Sequence, residues 1–289
     1  MKKVDEIKSL FKGKKVVYFS MEIGIEPVFS TYSGGLGILA GDTIRSCADL
    51  AVPIIAVTMV CKKGYFRQEF TSDGWQLEHP DVWNPERFLT LLPEVVEVEI
   101  QKRTVKVQAW VHVVESSTGG KVPMLFLDTD REDNDPQDRN ITERLYGGDI
   151  VYRLKQEIVL GVAGVKLIQA LGIDVIKYHL NEGHASFLTL ELLSRFNGDE
   201  EQVKERCVFT THTPIAAGHD RFSYELADAI LPSYFNRDTI KKLAGPTELN
   251  VTLLAINLSE FVNGVAKKHG EVTQKMFPGY QIRAITNGV

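Results

Sequence analysis

Cysteine is scarce in this sequence, with three (Cys47, Cys61 and Cys207) among 289 residues. An odd number cannot pair completely, and the spacing matches neither a CxxC pair nor a zinc-ligand pattern. A disulfide scaffold is excluded, and a reducing, cytoplasmic setting is the expectation. Positive charge is not in excess either. Lys plus Arg total 33 against 38 Asp plus Glu, a net charge of −5. That balance speaks against nucleic-acid and membrane-surface partners, which call for cationic patches. Long apolar runs are missing too. The longest, Ala51–Cys61, is 11 residues interrupted by Pro53 and Thr58, whereas a membrane-spanning helix needs about 20. The opening MKKVDEIKSLFKGKKV mixes lysine with apolar residues and carries no apolar core of a secretory signal. There is no Walker loop, G-x-S-x-G elbow, EF-hand loop or HExxH metal motif.

What is present has the composition of a folded protein: 44% hydrophobic and 25% charged. KVVYFS (Lys15–Ser20) reads as a first strand. After an irregular stretch, glycines open a helix near Gly35–Leu50. IIAVTMV (Ile54–Val60) is a nearly unbroken apolar run, as in a strand buried on both faces of a parallel sheet. Val95–Ile100 and Thr104–Val114 alternate apolar and polar residues, as antiparallel strands do, and Lys121–Asp128 turns apolar again. Asp128–Arg139, rich in acidic residues, reads as a solvated loop. Val151, Leu154, Ile158, Val162 and Val165 share one helical face. Asp174–Leu180 and Cys207–Thr213 read as strands and Ala185–Arg195 as a helix. Helices with Pro and Gly breaks fill Tyr224–Lys275, and Gln281–Thr286 is a last strand. The alternation predicts an α/β fold: a Rossmann-like, mainly parallel sheet with helices on both faces and a small antiparallel insertion near 90–118.

Ligands of such sheets bind beyond the carboxyl ends of the strands, and three segments place polar residues there. In STYSGGLGILAGD (Ser30–Asp42), glycines precede a helix, whose N-terminal amides suit an anion. Gly35, Gly37 and Ala40 satisfy G-x-G-x-x-A, but the glycines lie far beyond the strand and no acidic residue ends the next one, which weakens a dinucleotide reading. A tight turn and helix cap without ligand is the alternative. In KYHLNEGHASF (Lys177–Phe187), His179, Asn181, Glu182 and His184 crowd a turn without metal-ligand spacing, and Asn181 capping a helix is the bland reading. In FTTHTPIAAGHD (Phe209–Asp220), His212 follows a strand and is open to a purely structural role.

Eight segments in order, VVYFSMEIGI, STYSGGLGILAGD, GYFRQEF, LYGGDIVYRLKQE, YHLNEGHASF, FTTHTPIAAGHD, FVNGVAKKHGE and ITNGV, resemble the α-glucan phosphorylases. The resemblance is to the short bacterial and archaeal forms. It implies that residues 1–289 are the N-terminal half of a GT-B glycosyltransferase, two Rossmann-like domains facing across a cleft. The implied reaction moves the terminal glucose of an α-1,4-glucan to inorganic phosphate, giving glucose 1-phosphate. Pyridoxal phosphate is the implied cofactor, its phosphate handling the proton. By position, Glu22, Glu182, His184 and His212 match catalytic-site residues, with His212 contacting the glucose through its carbonyl and ring. Leu36, Asp149 and Thr213 match substrate contacts, and Gly34 and Gly35 match the loop facing phosphate. No metal is implied. Leu145 stands where animal enzymes place an active-site Asn. The cofactor's lysine belongs to the second domain, so this chain is expected to hold no covalent cofactor, to be inactive alone and to pair with that domain; the family is often homo-oligomeric. The alternatives are half of a nucleotide-sugar-dependent glycogen or starch synthase, in which a Lys stands where this chain has Tyr32, and a non-catalytic glucan-binding module.

Overall fold

The computed structural model describes residues 2–288. In chain order the elements are α1 (Lys2–Ser9), β1 (Lys14–Ser20), α2 (Gly35–Asp49), β2 (Ile54–Met59), β3 (Arg67–Phe70), β4 (Gln76–His79), β5 (Thr90–Ile100), β6 (Arg103–Glu115) and β7 (Lys121–Asp128). Then come α3 (Pro136–Arg139), α4 (Ile150–Ile158), a π-helical turn (Val159–Ala163), α5 (Gly164–Ala170), β8 (Asp174–Asn181), α6 (Phe187–Arg195), α7 (Glu200–Lys204) and β9 (Cys207–Thr211). The last part holds β10 (Arg221–Ser223), α8 (Tyr224–Ile230), α9 (Arg237–Ala244), β11 (Glu248–Asn250), α10 (Val251–Asn257), β12 (Phe261–Gly264), α11 (Lys267–Met276) and β13 (Arg283–Ala284). None of the described helices is long and apolar enough to cross a membrane.

Nine strands form one sheet in the order β13-β12-β9-β8-β1-β2-β7-β6-β5. From β13 to β7 every pairing is parallel, and β6 and β5 add an antiparallel edge. Apolar residues alternate between two cores because successive side chains leave a strand on opposite faces. Val17, Phe19, Ile55, Val57 and Met59 pack on one face against Leu154, Ile158, Leu160 and Val165 of the α4–α5 rod. Tyr18, Ile54 and Ala56 pack on the other against Ala40, Ile44 and Ala48 of α2. That double burial explains the unbroken apolar run of β2.

The α/β reading, the main parallel strands and the antiparallel insertion near 90–118 hold, the last as the β5–β6 edge of the main sheet, and four particulars change. The segment Asp128–Arg139 is no solvated loop: Asp128, Asn134 and Asp138 are buried. Arg103 donates to both oxygens of Asp138 at 2.9 and 2.7 Å, and Lys62 lies 3.1 Å from Asp128. Its acidity serves internal pairing. Short strands β11 and β12 interrupt the expected helices of Tyr224–Lys275, and the exposed β3–β4 hairpin carries no alternation that would have marked it. The predicted last strand shrinks to Arg283–Ala284.

Asp138→Ala is expected to lower unfolding stability by about 1–2 kcal/mol, because it removes a two-pronged, charge-assisted contact to the partly exposed Arg103 and the carboxylate facing the more buried Lys155. Exposed Glu132→Ala is expected to change it by no more than about 0.5 kcal/mol. Urea denaturation of both variants checks the contrast; equal effects would return this segment to the status of a solvated loop.

Candidate active site

Strand order reverses at β1, which has β2 and β7 on one side and β8, β9 and β12 on the other. The crevice beyond the carboxyl ends of β1 and β8 is therefore the switch point at which open α/β sheets bind ligands.

Beyond β1 the chain stays buried through Met21–Ile25, reaches the surface at Glu26–Val28, and returns to α2 through the glycine loop. The Glu22 carboxylate bends back beneath that loop. Its Oε2 accepts the N–H groups of Ser33 and Gly34 at 2.8 and 3.2 Å, and its Oε1 accepts the Tyr146 hydroxyl at 2.9 Å. Gly37 makes room for this: a Cβ there would stand 2.8 Å from Glu22 Oε2. Gly34 is the N-cap of α2 and offers no capping side chain. Among the described residues the N–H groups of Gly35 and Leu36 take no partner, and a Cβ on Gly34 or Gly35 would meet open space. These two amides, at the positive end of a 15-residue helix, can receive a phosphate or other anion. Beside the loop lies a cavity of about 290 Å³ lined in part by Tyr32, Tyr65, Phe66, Asp81 and Arg144.

Across the crevice, Glu182 follows β8 with φ +73°, a left-handed conformation that a non-glycine residue keeps only when its surroundings enforce it. The enforcement is visible. Glu182 Oε2 accepts the N–H of His212 at 2.7 Å and both the N–H and hydroxyl of Thr213 at 3.0 Å, while Oε1 accepts the N–H of Gly183 at 3.0 Å. Burial opposes ionisation, but His184 and the amides of His212 and Gly183 outweigh it and hold this carboxyl below the usual range. The same contacts take His212 and Thr213 out of the sheet, so β9 ends at Thr211 instead of running to Thr213.

Between the two walls stands a cluster that the sequence did not single out. Arg153 donates to Asp220 Oδ2 from Nε and Nη2 at 3.0 and 2.7 Å, and its guanidinium lies 4.4 Å from the Tyr146 ring centre. Its Nη2 is 2.9 Å from His184 Nε2. Burial, with Arg153 alongside, lowers the His184 pKa to about 4. The ring is neutral near pH 7, accepts from Arg153 through Nε2, and carries its proton on Nδ1, which is buried without a partner. Behind it, fully buried Glu157 has no hydrogen-bond partner on either oxygen. Burial and then the neighbouring Asp220 raise its pKa well above the carboxylate range.

Glu22, Gly34, Gly35 and Leu36 thus stand beyond β1, and Glu182, His184, His212 and Thr213 beyond β8 and β9, with Tyr146 bonded to Glu22 and its ring against that of His184. Asp149 does not join them: it is exposed and caps α4, accepting the Tyr152 N–H at 2.9 Å. Asn181 is the last residue of β8, and Glu182, not Asn181, caps the short turn that follows. Leu145 is buried in the apolar core. Arg153, Glu157 and Asp220 were missed as site residues. The signal available was the run of three polar residues Lys155-Gln156-Glu157 between the apolar Leu154 and Ile158, and all three are buried.

Fold and crevice together define a Rossmann-like α/β domain with a polar crevice at its switch point. Residues 25–156 match the family described as carbohydrate phosphorylase. The chain is 39% identical over 292 residues to a maltodextrin phosphorylase of Thermococcus litoralis, an alignment covering 95% of this chain and 34% of that protein. It is 37% identical over 318 residues to a glycogen phosphorylase of Mycobacterium tuberculosis, covering 95% and 36%. With a glycogen phosphorylase of Aquifex aeolicus it shares 32% identity over 305 residues, covering 96% and 44%. Over nearly all of its length the chain is similar to these phosphorylases, and it spans between about a third and somewhat under half the length of these relatives.

A group whose folded pKa is raised contributes stability in acid and loses it as pH climbs through the folded value. Glu157→Gln removes that loss, so its stability relative to wild type should rise from pH 5 to pH 8. Denaturant unfolding at the two pH values measures this; a gain that does not grow with pH would show that Glu157 is ionised in the fold.

Proposed function

We propose that this chain forms one wall of the active-site cleft of an α-1,4-glucan phosphorylase, which transfers terminal glucose to inorganic phosphate and releases α-glucose 1-phosphate. The observation that supports this most is the meeting of the glycine loop, Glu22, His184 and His212 at a single switch point. A second domain supplies the facing wall and the lysine that anchors pyridoxal phosphate. The open amides of Gly35 and Leu36 fit a phosphate group, of cofactor or substrate. When bound, pyridoxal phosphate supplies a phosphate that exchanges a proton with the reacting phosphate.

The roles of this chain's residues follow from what they hold. Glu182 is a positioning residue: its carboxylate is spent on the backbone of His212 and Thr213, and it fixes where the His212 carbonyl lies. That carbonyl dipole stabilises positive charge developing at the anomeric carbon of an oxocarbenium-like state. Glu22 shapes the glycine loop from beneath. Gly34 acts through its position at the helix start, since its own N–H is held by Glu22, while Leu36 offers its amide and Thr213 borders the sugar. His184 accepts from Arg153 through Nε2 and packs its ring against Tyr146, holding these two side chains beside Glu22. Asp149 contributes by starting α4, the helix that carries Arg153, and touches the ligand only if its loop moves. Tyr32, in place of a lysine two residues before the paired glycines, disfavours a nucleotide-sugar donor.

Calorimetric titration of the 289-residue chain with maltoheptaose, inorganic phosphate and a nucleotide sugar discriminates the readings. Saturable binding of maltoheptaose or phosphate, without release of glucose 1-phosphate by this chain alone, is expected. Binding of the nucleotide sugar alone would replace this reading with a synthase. In an enzyme that joins both walls, His212→Ala is expected to cost less than the ~10²–10⁴-fold of a lost general acid–base group, because the carbonyl remains; activity at background would remove His212 from that role.

A further inference from the structure

We propose that Ser20 and Asn181 are a positioning pair for His212: they fix its ring in the Nε2–H form, so that the sugar contact of the ring implied by the phosphorylase resemblance is made by Nδ1 as a hydroxyl acceptor. The hydroxyl rests on the phosphorylase reading; the form of the ring does not.

Ser20 and Asn181 are paired residues of β1 and β8, the last of each strand, at the reversal of strand order. Both are buried, with exposures of 0% and 1%. The Ser20 hydroxyl gives its single proton to the Glu22 carbonyl oxygen at 2.7 Å. Its oxygen is left as an acceptor and takes the Asn181 side-chain N–H at 3.0 Å. Turning the Asn181 amide over would set its carbonyl oxygen against an oxygen with no proton to give, a clash of acceptors between two buried side chains. The amide orientation is thereby settled, and Asn181 Oδ1 faces His212 Nε2 at 2.7 Å. Only a donor satisfies that contact, so Nε2 carries the proton.

A doubly protonated ring is disfavoured. Burial lowers the His212 pKa, and His269 adds to this while the Glu182 carboxylate opposes it. The ring near pH 7 is neutral, with its remaining nitrogen bare. Among the described residues Nδ1 has no hydrogen-bond partner, and it is not among the sealed, unpartnered atoms. A polyhydroxylated ligand is the class that can donate to it. The anchoring of the ring thus runs from the backbone of Glu22 through Ser20 and Asn181. Its main chain is held separately, by Glu182 at the N–H.

Nitrogen-15 spectra of the ring in the 289-residue chain test this, with His212→Gln identifying the signals among seven histidines. Neutral His212 is expected wholly as Nε2–H. Asn181→Leu should yield the mixture of neutral forms of a free imidazole. Ser20→Ala, which frees the amide to turn, should do the same with the backbone fingerprint preserved. Asn181→Asp should keep Nε2–H and raise the pH at which the ring protonates. A ring in the Nδ1–H form in wild type, or ring signals unchanged in whichever of the leucine and alanine variants folds, overturns the proposal. Maltoheptaose should then move the Nδ1 signal and leave Nε2–H in place. Binding that leaves Nδ1 unmoved overturns the hydroxyl contact. Failure to bind any glucan removes the phosphorylase reading and leaves the Ser20–Asn181 anchor standing.

Discussion

The ionised carboxylate of Glu182 is the interaction on which the crevice depends. It sits where β8 ends and ties down the segment that follows β9, through three hydrogen bonds to one oxygen. A buried carboxylate is tolerated only when its lone pairs are filled. Here backbone amides fill them, so the charge keeps the His212 loop shaped rather than standing ready to react. Left-handed backbone at the same residue is the local expense of aiming the side chain inward.

The other buried charges follow the same logic with a different outcome. Arg153 is shared among Asp220, the Tyr146 ring and His184. One cation cannot neutralise two carboxylates, and burial next to Asp220 keeps Glu157 in its acid form. Glu22 is served by two amides and a phenol and needs no cation. Each acidic side chain in the crevice therefore has its own means of being buried: amides for Glu182 and Glu22, a guanidinium for Asp220, a retained proton for Glu157.

Much of this was legible in the sequence, for reasons of periodicity. The β1 and β2 runs, the α2 start at the glycines and the alternation in β5 and β6 reflect patterns of 2 and 3.6 residues that burial imposes. Signals failed where side-chain pairing overrode local preference. The acidic stretch after β7 looked solvated because its partners, Lys62 and Arg103, lie far off in sequence. The strand at Cys207 looked two residues longer than it is because nothing local announces that Glu182 will claim the next two amides. At the site, Glu22, Glu182, His184 and His212 were singled out through the resemblance; Glu182 bonds the His212 amide, and Tyr146 lies between Glu22 and His184. Ser20 read as an ordinary strand residue, and Arg153 and Asp220 drew no reading of their own; their contacts exist only once β1, β8 and α4 are adjacent.

The reversal of strand order also dates the crevice. β1 lies beside β2, which follows it closely, and beside β8, which follows only after the whole β5–β7 excursion: Lys14 pairs with Asp174. During synthesis β1, β2 and the strands through β7 are available to each other well before β8 emerges, and long-range parallel pairing is slow in any case. The Ser20–Asn181 contact spans that join. The site is thus assembled at the seam between an early and a late portion of the chain, and its geometry reports that the two have met.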